Sequence, residues 1–346
     1  MWLVAARRID WFFGWALWSV ACTAAAQTLD PAPQQLRVMT WNVEWMFDDY
    51  VGDNRSDLAR QQSAPTRESW ENKRDSVAGV LAKYQPEIVA LQEIESDQTL
   101  AEIAAQLKST HHLSYRFAFI QGSDRFTEQD VGLLVRGGLT SYRRQEQSKA
   151  MFASGQYYNL SKHLIGEFQW SNVVSPLTVM TVHLRATAEA EELRIKQARL
   201  ARLWLEPLLQ SGQDVIVLGD FNSEQIAAAG VASEGAAGEG ATPDMAQLTG
   251  GSGQSRMVDL VSRLADPHQA THLILNKQFD RILVSESLLV DDAGEDWCFK
   301  QIEVLSQEVL RGTQDGPEHW SRRLTMPLAE LDVSDHYPVM ATFELK

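Results

Sequence analysis

The sequence predicts an α/β domain of stacked layers, with sheet packed against sheet and helices outside. Three observations carry that prediction: short apolar runs of strand length recur along the chain, the C-terminal run alternates strictly, and the helical segments fall between them without regular βα alternation.

Taken in order, LRVMTWN (36–42) is the first strand and a helix is expected over 70–84. EIVALQE (87–93) is the second strand, followed by a helix over 97–108, and DVGLLVR (130–136) and PLTVMTVHL (176–184) are the next two strands. A long helix is expected over 187–210, where Leu193, Leu200, Trp204 and Leu208 keep helical spacing as core and Arg194, Lys196, Arg199 and Arg202 read as the wet face. DVIVLGD (214–220) and FDRILVS (279–285) are further strands. The last begins at Val339: Val339, Ala341, Phe343 and Leu345 share one face, Met340, Thr342 and Glu344 the other. Near-continuous runs imply strands covered on both faces, and alternation implies one covered face. Residues 229–256, rich in Gly, Ala and Ser, read as a mobile surface insertion, and 310–327 as a second irregular stretch.

Composition sets bounds. With 44% hydrophobic and 22% charged residues, the 346-residue chain has the makings of a sizeable core. Arg7 and Arg8, the apolar run at 11–21, and Ala24, Ala25 and Ala26 before Gln27 have the order of a secretory signal peptide, with cleavage expected after Ala26. Cys22 as a lipid attachment point and Arg7-Arg8 as a twin-arginine signal stay open as alternatives. The expected mature chain, 27–346, is a single domain, secreted or periplasmic, without a stable membrane span or an implied protein partner. Its one cysteine, Cys298, has no internal disulfide partner. The leader carries two Arg against one Asp, so its removal takes the formal charge from −15 to −16. Such a chain cannot hold nucleic acid by general attraction and must handle phosphate locally.

Polar residues gather where the strands end: Asn42 and Glu44 in TWNVEW, Glu93 in LQEIE, His183 in TVHLRA, Asp220 and Asn222 in LGDFNSE, Asp280 in QFDRILVS, and Asp335 and His336 in SDHYPV. Each alone is a strand-end turn or a satisfied core residue. Together and in this order they resemble the endonuclease/exonuclease/phosphatase superfamily, of deoxyribonuclease I type, over residues 36–346, and the acidic Glu44 resembles the repair enzymes and secreted bacterial nucleases of the family. The resemblance implies a four-layer sandwich of two packed mixed β-sheets flanked by helices.

It also implies roles. Hydrolysing an anionic phosphodiester requires water to lose a proton while charge on the phosphoryl oxygens is neutralised. Glu93 is the implied leading metal ligand, with Asn42, Glu44 and Asp335 beside it, for Mg²⁺ or else Mn²⁺ or Ca²⁺. His336 is implied as general base or as charge partner to the phosphate, with Asp280 orienting its ring. Asp220 and Asn222 orient the nucleophile, and His183 meets the phosphate opposite. Whether His336 or Asp220 takes the proton stays open, as does a zinc site from His183 and His336.

The expected substrate is DNA, cleaved by an endonuclease. The alternatives are a sphingomyelinase-like or other phosphodiesterase or phosphatase, or a catalytically silent binding protein. Gln278-Phe279 before Asp280 and Ser223-Glu224 after Asn222 depart from the inositol 5-phosphatase pattern. Arg136 with Arg143, Arg144 and Lys149, Tyr157 with Tyr158 and Asn159, and Trp320 with Arg322 and Arg323 are the candidate substrate contacts.

Overall fold

The computed structural model describes residues 29–223, 242–251, 255–291 and 296–346. The expected leader, Cys22 and most of the Gly/Ala-rich stretch lie outside these residues.

Twelve strands form two six-stranded mixed sheets. In chain order they are β1 (Gln35–Met46), β2 (Ile88–Ile94), β3 (Arg116–Phe119), β4 (Asp130–Val135), β5 (Leu139–Arg143), β6 (His163–Phe168), β7 (Leu177–His183), β8 (Asp214–Asp220), β9 (Met257–Asp259), β10 (Asp280–Ser285), β11 (Trp297–Val304) and β12 (Val339–Leu345). One sheet has the order β11-β12-β1-β2-β4-β3 and the other β5-β6-β7-β8-β10-β9. Each contains one parallel pair, β1 with β2 and β7 with β8, and all other neighbours are antiparallel.

The helices are α1 (Asp57–Gln62), α2 (Arg67–Tyr84), α3 (Asp97–His111), α4 (Lys149–Ser154), α5 (Glu191–Gln210), α6 (Pro243–Thr249) and α7 (His319–Arg322). The two long crossovers between parallel partners run through α2 and α5, as a parallel pair requires. Thr66 and Ser96 start α2 and α3 by accepting backbone N–H bonds from Ser69 and Thr99.

Alternation along the strands sorts the core into layers. Leu36 and Val38 of β1, Ile88 and Ala90 of β2, Ile216 and Leu218 of β8, and Val339, Ala341 and Phe343 of β12 pack between the sheets. Met39, Trp41 and Val43 face the other way, with Val89, Leu91 and Met340, against Val77 and Leu81 of α2 and Ile103 of α3. Val215 and Val217 meet Leu200, Trp204 and Leu205 of α5. The order is therefore helix, sheet, sheet, helix, the four-layer sandwich expected.

Five strands have no counterpart in the sequence reading: β3, β5, β6, β9 and β11. β3 and β9 are four and three residues long, β5 is a largely exposed edge strand, β6 contains Gly166, and β11 carries a bulge between Phe299 and Gln301. Each lacks the apolar run that marks a doubly covered strand. Two readings are corrected. The described part of the Gly/Ala-rich stretch includes α6, which buries Met245 and Leu248 against α5. Arg194 is not on a wet face: it is buried, with Nε 3.0 Å from Asp244 Oδ2.

Candidate active site

The inter-sheet space changes character along its length. At one end it is aliphatic; toward the C-terminal ends of the parallel strands it turns polar. Thr40 donates to Gln92 Oε1 at 3.2 Å, and Gln92 Nε2 donates to Thr181 Oγ1 at 3.2 Å. One step further lie Asn42, Glu93, His183 and Asp220. β10 enters from the opposite direction, so its first residue, Asp280, pairs with Asp220, while His183 pairs with Asp220 from the other side. Asp335 and His336 arrive just before β12. Glu93, His183, Asp220, Asn222, Asp335 and His336 all line one cleft of about 630 Å³.

Strict alternation would aim Glu93 outward, since Val89 and Leu91 face the helices. Instead Glu93 adopts φ 65°, the register slips between Gln92 and Ile94, and Ile94 takes the outward face. The slip returns the carboxylate to the inter-sheet side. Glu44 (φ 48°), Trp45 (φ 42°) and Asn222 (φ 49°) are also left-handed. Such conformations cost of order 1–3 kcal/mol each in a non-glycine residue and persist where surrounding contacts over-determine them. Here Asn42 supplies several: its Nδ2 donates to Glu93 Oε1 at 3.2 Å and to Asp220 Oδ2 at 3.0 Å, and its Oδ1 accepts the Glu44 N–H at 3.0 Å. The Trp45 N–H holds Glu93 Oε2 at 2.8 Å. Asn222 folds back so that its N–H reaches Asp220 Oδ1 at 2.9 Å, and its Nδ2 donates to the Leu184 carbonyl at 3.1 Å.

His336 is fixed at both backbone and ring. The Ser334 hydroxyl accepts its N–H at 3.1 Å and donates to the Asn42 carbonyl at 2.8 Å, and Trp41 Nε1 donates to the His336 carbonyl at 2.9 Å. Its Nδ1 is 2.7 Å from Asp280 Oδ2, leaving Nε2 to face Asp220 Oδ2 at 3.8 Å and Asp335 Oδ1 at 3.9 Å. Burial opposes charging the ring, but Asp280 and Asp220 outweigh it and hold its pKa well above the ordinary value. Burial pushes the Asp280 carboxyl up to about 6, against the opposing pull of His336. Asp220 is held below its ordinary value against burial by His336 and His183. His183, buried and beside Lys162, is lowered to about 4 and is neutral.

Two histidines that the sequence reading missed complete the surroundings. His272 stacks obliquely on His336 with ring centroids 4.4 Å apart and lies 3.8 Å from Asp335 Oδ2. His319 sits between two carboxylates, with Nδ1 2.7 Å from Asp315 Oδ2 and Nε2 2.9 and 2.8 Å from the Glu44 oxygens. His272 opens the short apolar run Leu273-Ile274-Leu275, which forms no named strand, and His319 lies in the irregular stretch before β12, so neither stands at the end of a strand-length run. Glu44 is accordingly engaged by His319 and, at 3.9 Å, by Arg323 Nε; it lines a second cavity with Lys73 rather than the cleft of Glu93 and Asp335.

The substrate candidates scatter. Arg136 pairs with Glu87 at 3.4 Å at the start of β2, six residues and about 20 Å of extended strand from Glu93. Tyr157 packs on the α5 core. Arg322 is exposed on α7, and its neighbour Arg323 turns inward instead. Trp320 does reach the site, but as a donor: Nε1 holds Asp335 Oδ2 at 2.7 Å.

The remaining oxygens suit a hard cation. Glu93, Asp220 and Asp335 line the same cleft, Asn42 bridges Glu93 and Asp220, and burial together with Glu44 and Glu93 pushes the Asp335 carboxyl up to about 7. A divalent ion beside these carboxylates would favour their ionised forms against burial. Among the described residues the group of acidic and histidine ligand atoms that lie within 4.8 Å of one another is His272, Asp335 and His336; Glu93, and His183 of the alternative zinc pair, are not in that cluster.

Comparisons agree with this fold. Residues 39–336 match the model of the Endonuclease/Exonuclease/phosphatase family. No curated protein sequence matches the chain. Similar folds are found in an endonuclease/exonuclease/phosphatase from Bacteroides vulgatus (15% identity, TM-score 0.55, 91% of this chain and 100% of that one). The human Nocturnin catalytic domain with bound sulfate is similar too (14%, 0.53, 91% and 96%), as is D. rerio TDP2 with a single-strand DNA product (17%, 0.52, 90% and 100%). By its site, its four-layer fold and the family match across most of its length, this chain belongs to the endonuclease/exonuclease/phosphatase family of phosphoester hydrolases.

Proposed function

We propose that the protein is an exported, divalent-cation-dependent phosphodiesterase that hydrolyses DNA internally with activated water. One observation carries this reading: His336, buttressed by Asp280 at 2.7 Å, presents its free ring nitrogen to a cleft it shares with Asp220, Asp335 and Glu93. Glu93, Asp335 and Asn42 would hold Mg²⁺ or Mn²⁺, which supplies charge neutralisation at the phosphoryl oxygens. The water oxygen bonds to phosphorus as the P–O bond to the leaving oxygen breaks; ionised Asp220 accepts the water proton, and the departing oxygen, with protonated His336 stabilising the phosphoryl charge, takes a proton from solvent. Neutral His183 and the Asn222 amide border the phosphate. The D. rerio TDP2 structure with single-strand DNA product supports a nucleic-acid substrate on this fold.

The test is nicking of supercoiled plasmid by the mature protein across Mg²⁺, Mn²⁺ and Ca²⁺, with and without chelator, beside a choline-phospholipid assay. Lipid hydrolysis without nicking would replace DNA with lipid; inactivity on every phosphate ester would leave a binding protein. Export is tested by the N-terminal residue of the secreted or periplasmic product, expected at Gln27. Among the described residues no helix is long and apolar enough to cross a membrane.

A further inference from the structure

The catalytic cleft continues past His183 into a groove with a different lining. Phe126 (68% exposed) and Tyr158 (39% exposed) present their rings there, and Arg125 and Arg185 lie beside them. Both arginines are exposed, and no ion pair engages either guanidinium among the described residues. In a chain of formal charge −15 such a local surplus of unpaired cations beside aromatic rings is distinctive.

The groove is built on pinned backbone. The Asp124 carboxylate accepts the Phe126 and Thr127 N–H groups at 2.9 and 3.2 Å and pairs with Lys162 at 3.4 Å. Asn159, next to Tyr158, donates to the Ser123 hydroxyl at 2.8 Å, and the Arg185 N–H is held by Gln197 Oε1 at 2.9 Å. Exposed rings on a fixed backbone lose little freedom when a planar ligand stacks on them.

We infer that this groove is a nucleotide subsite in which Phe126 and Tyr158 stack on unpaired bases flanking the scissile phosphate while Arg125 and Arg185 hold the adjoining backbone. A paired duplex hides its base faces, so stacking selects strands that are single or melted on the His183 side of the cleft. The inference rests on the nuclease reading and narrows it to substrates with an unpaired segment.

The experiment compares wild type, Phe126→Ala/Tyr158→Ala, the ring-preserving Phe126→Tyr/Tyr158→Phe and Arg125→Ala/Arg185→Ala. Each is assayed for kcat/KM on a labelled single-stranded oligonucleotide and on its fully paired duplex, with thermal midpoints confirming the fold. The alanine pair is expected to lose about tenfold or more on the single strand, less on the duplex, with the ring-preserving pair close to wild type. The arginine pair should flatten the salt dependence. Equal losses on both substrates, or none, would overturn the subsite while leaving the nuclease reading intact. Wild-type inactivity on both substrates in every metal would overturn both. Loss of binding to anionic vesicles, with oligonucleotide cleavage unchanged, would assign the rings to a lipid surface instead.

Discussion

His319 holds Glu44 by a single ring nitrogen, Nε2 lying 2.9 and 2.8 Å from the two carboxylate oxygens, while its other nitrogen is 2.7 Å from Asp315. With both nitrogens donating, the ring is an imidazolium, and α7 is thereby tied to β1. The same short helix places the Trp320 indole on Asp335.

Replacing His319 with Ala should destabilise the fold by about 3–5 kcal/mol, because it leaves a buried carboxylate without its partner. His319 is raised to about 9 by Glu44 and Asp315, and Glu44 is lowered to about 2 against burial by His319. The His319 contribution is complete below about pH 6.5 and fades as pH rises toward 9; that of Glu44 is complete above about pH 4.5 and fades as pH falls toward 2. Urea unfolding from pH 3 to 10 should therefore show a wild-type advantage over the variant that is widest near pH 5–6. A pH-independent gap would contradict the ion pair.

Asp280→Asn should cut turnover about 10²-fold or more at temperatures well below the variant's own thermal midpoint, since the amide matches the carboxylate in shape but no longer holds His336 as a cation. Plasmid nicking measured over pH 5–9 is the check. His336→Ala should fall by about the same factor, and combining the two should add little, as expected for residues acting as a unit.

Adding Mg²⁺ or Mn²⁺ to chelator-treated protein should raise its stability by about 2.7 kcal/mol at a hundred times the dissociation constant. Glu93→Gln should weaken or abolish that rise in differential scanning fluorimetry. An undiminished rise in the variant would place the cation elsewhere.

Gly219→Ala should cost about 3 kcal/mol or more and remove activity together with stability. Gly219 has φ +147°, and an added Cβ would lie 1.9 Å from the Val182 carbonyl oxygen of the parallel neighbour strand. Relief of that clash would push β7 from β8 at the point where His183 and Asp220 pair. Equilibrium unfolding and nicking of the same preparation measure both losses.

The doubly covered strands and the long helices were legible in the chain because burial on two faces or a helical stripe writes itself locally: β1, β2, β4, β7, β8, β10, α2, α3 and α5 all stand where apolar runs or helical spacing put them, and β12 stands where alternation put it but is covered on both faces, with Met340 and Thr342 buried as well. Edge strands such as β5 were not, since their residues answer to solvent on one side. In the site, Asn42, Glu93, His183, Asp220, Asp280 and His336 announced themselves as polar interruptions at the ends of apolar strands. Asp335 was legible in the same way.

What sequence determined, then, is the set of strand ends and the residues each one offers, because alternation and burial are nearest-neighbour properties of the chain. Only tertiary structure decided which offers meet: a register slip turned Glu93 inward, His319 engaged Glu44, and Arg136 fell at the far end of its sheet. Those outcomes depend on strand order, bulges and long-range ion pairs between residues as far apart as Glu44 and His319, and no local pattern encodes such distances.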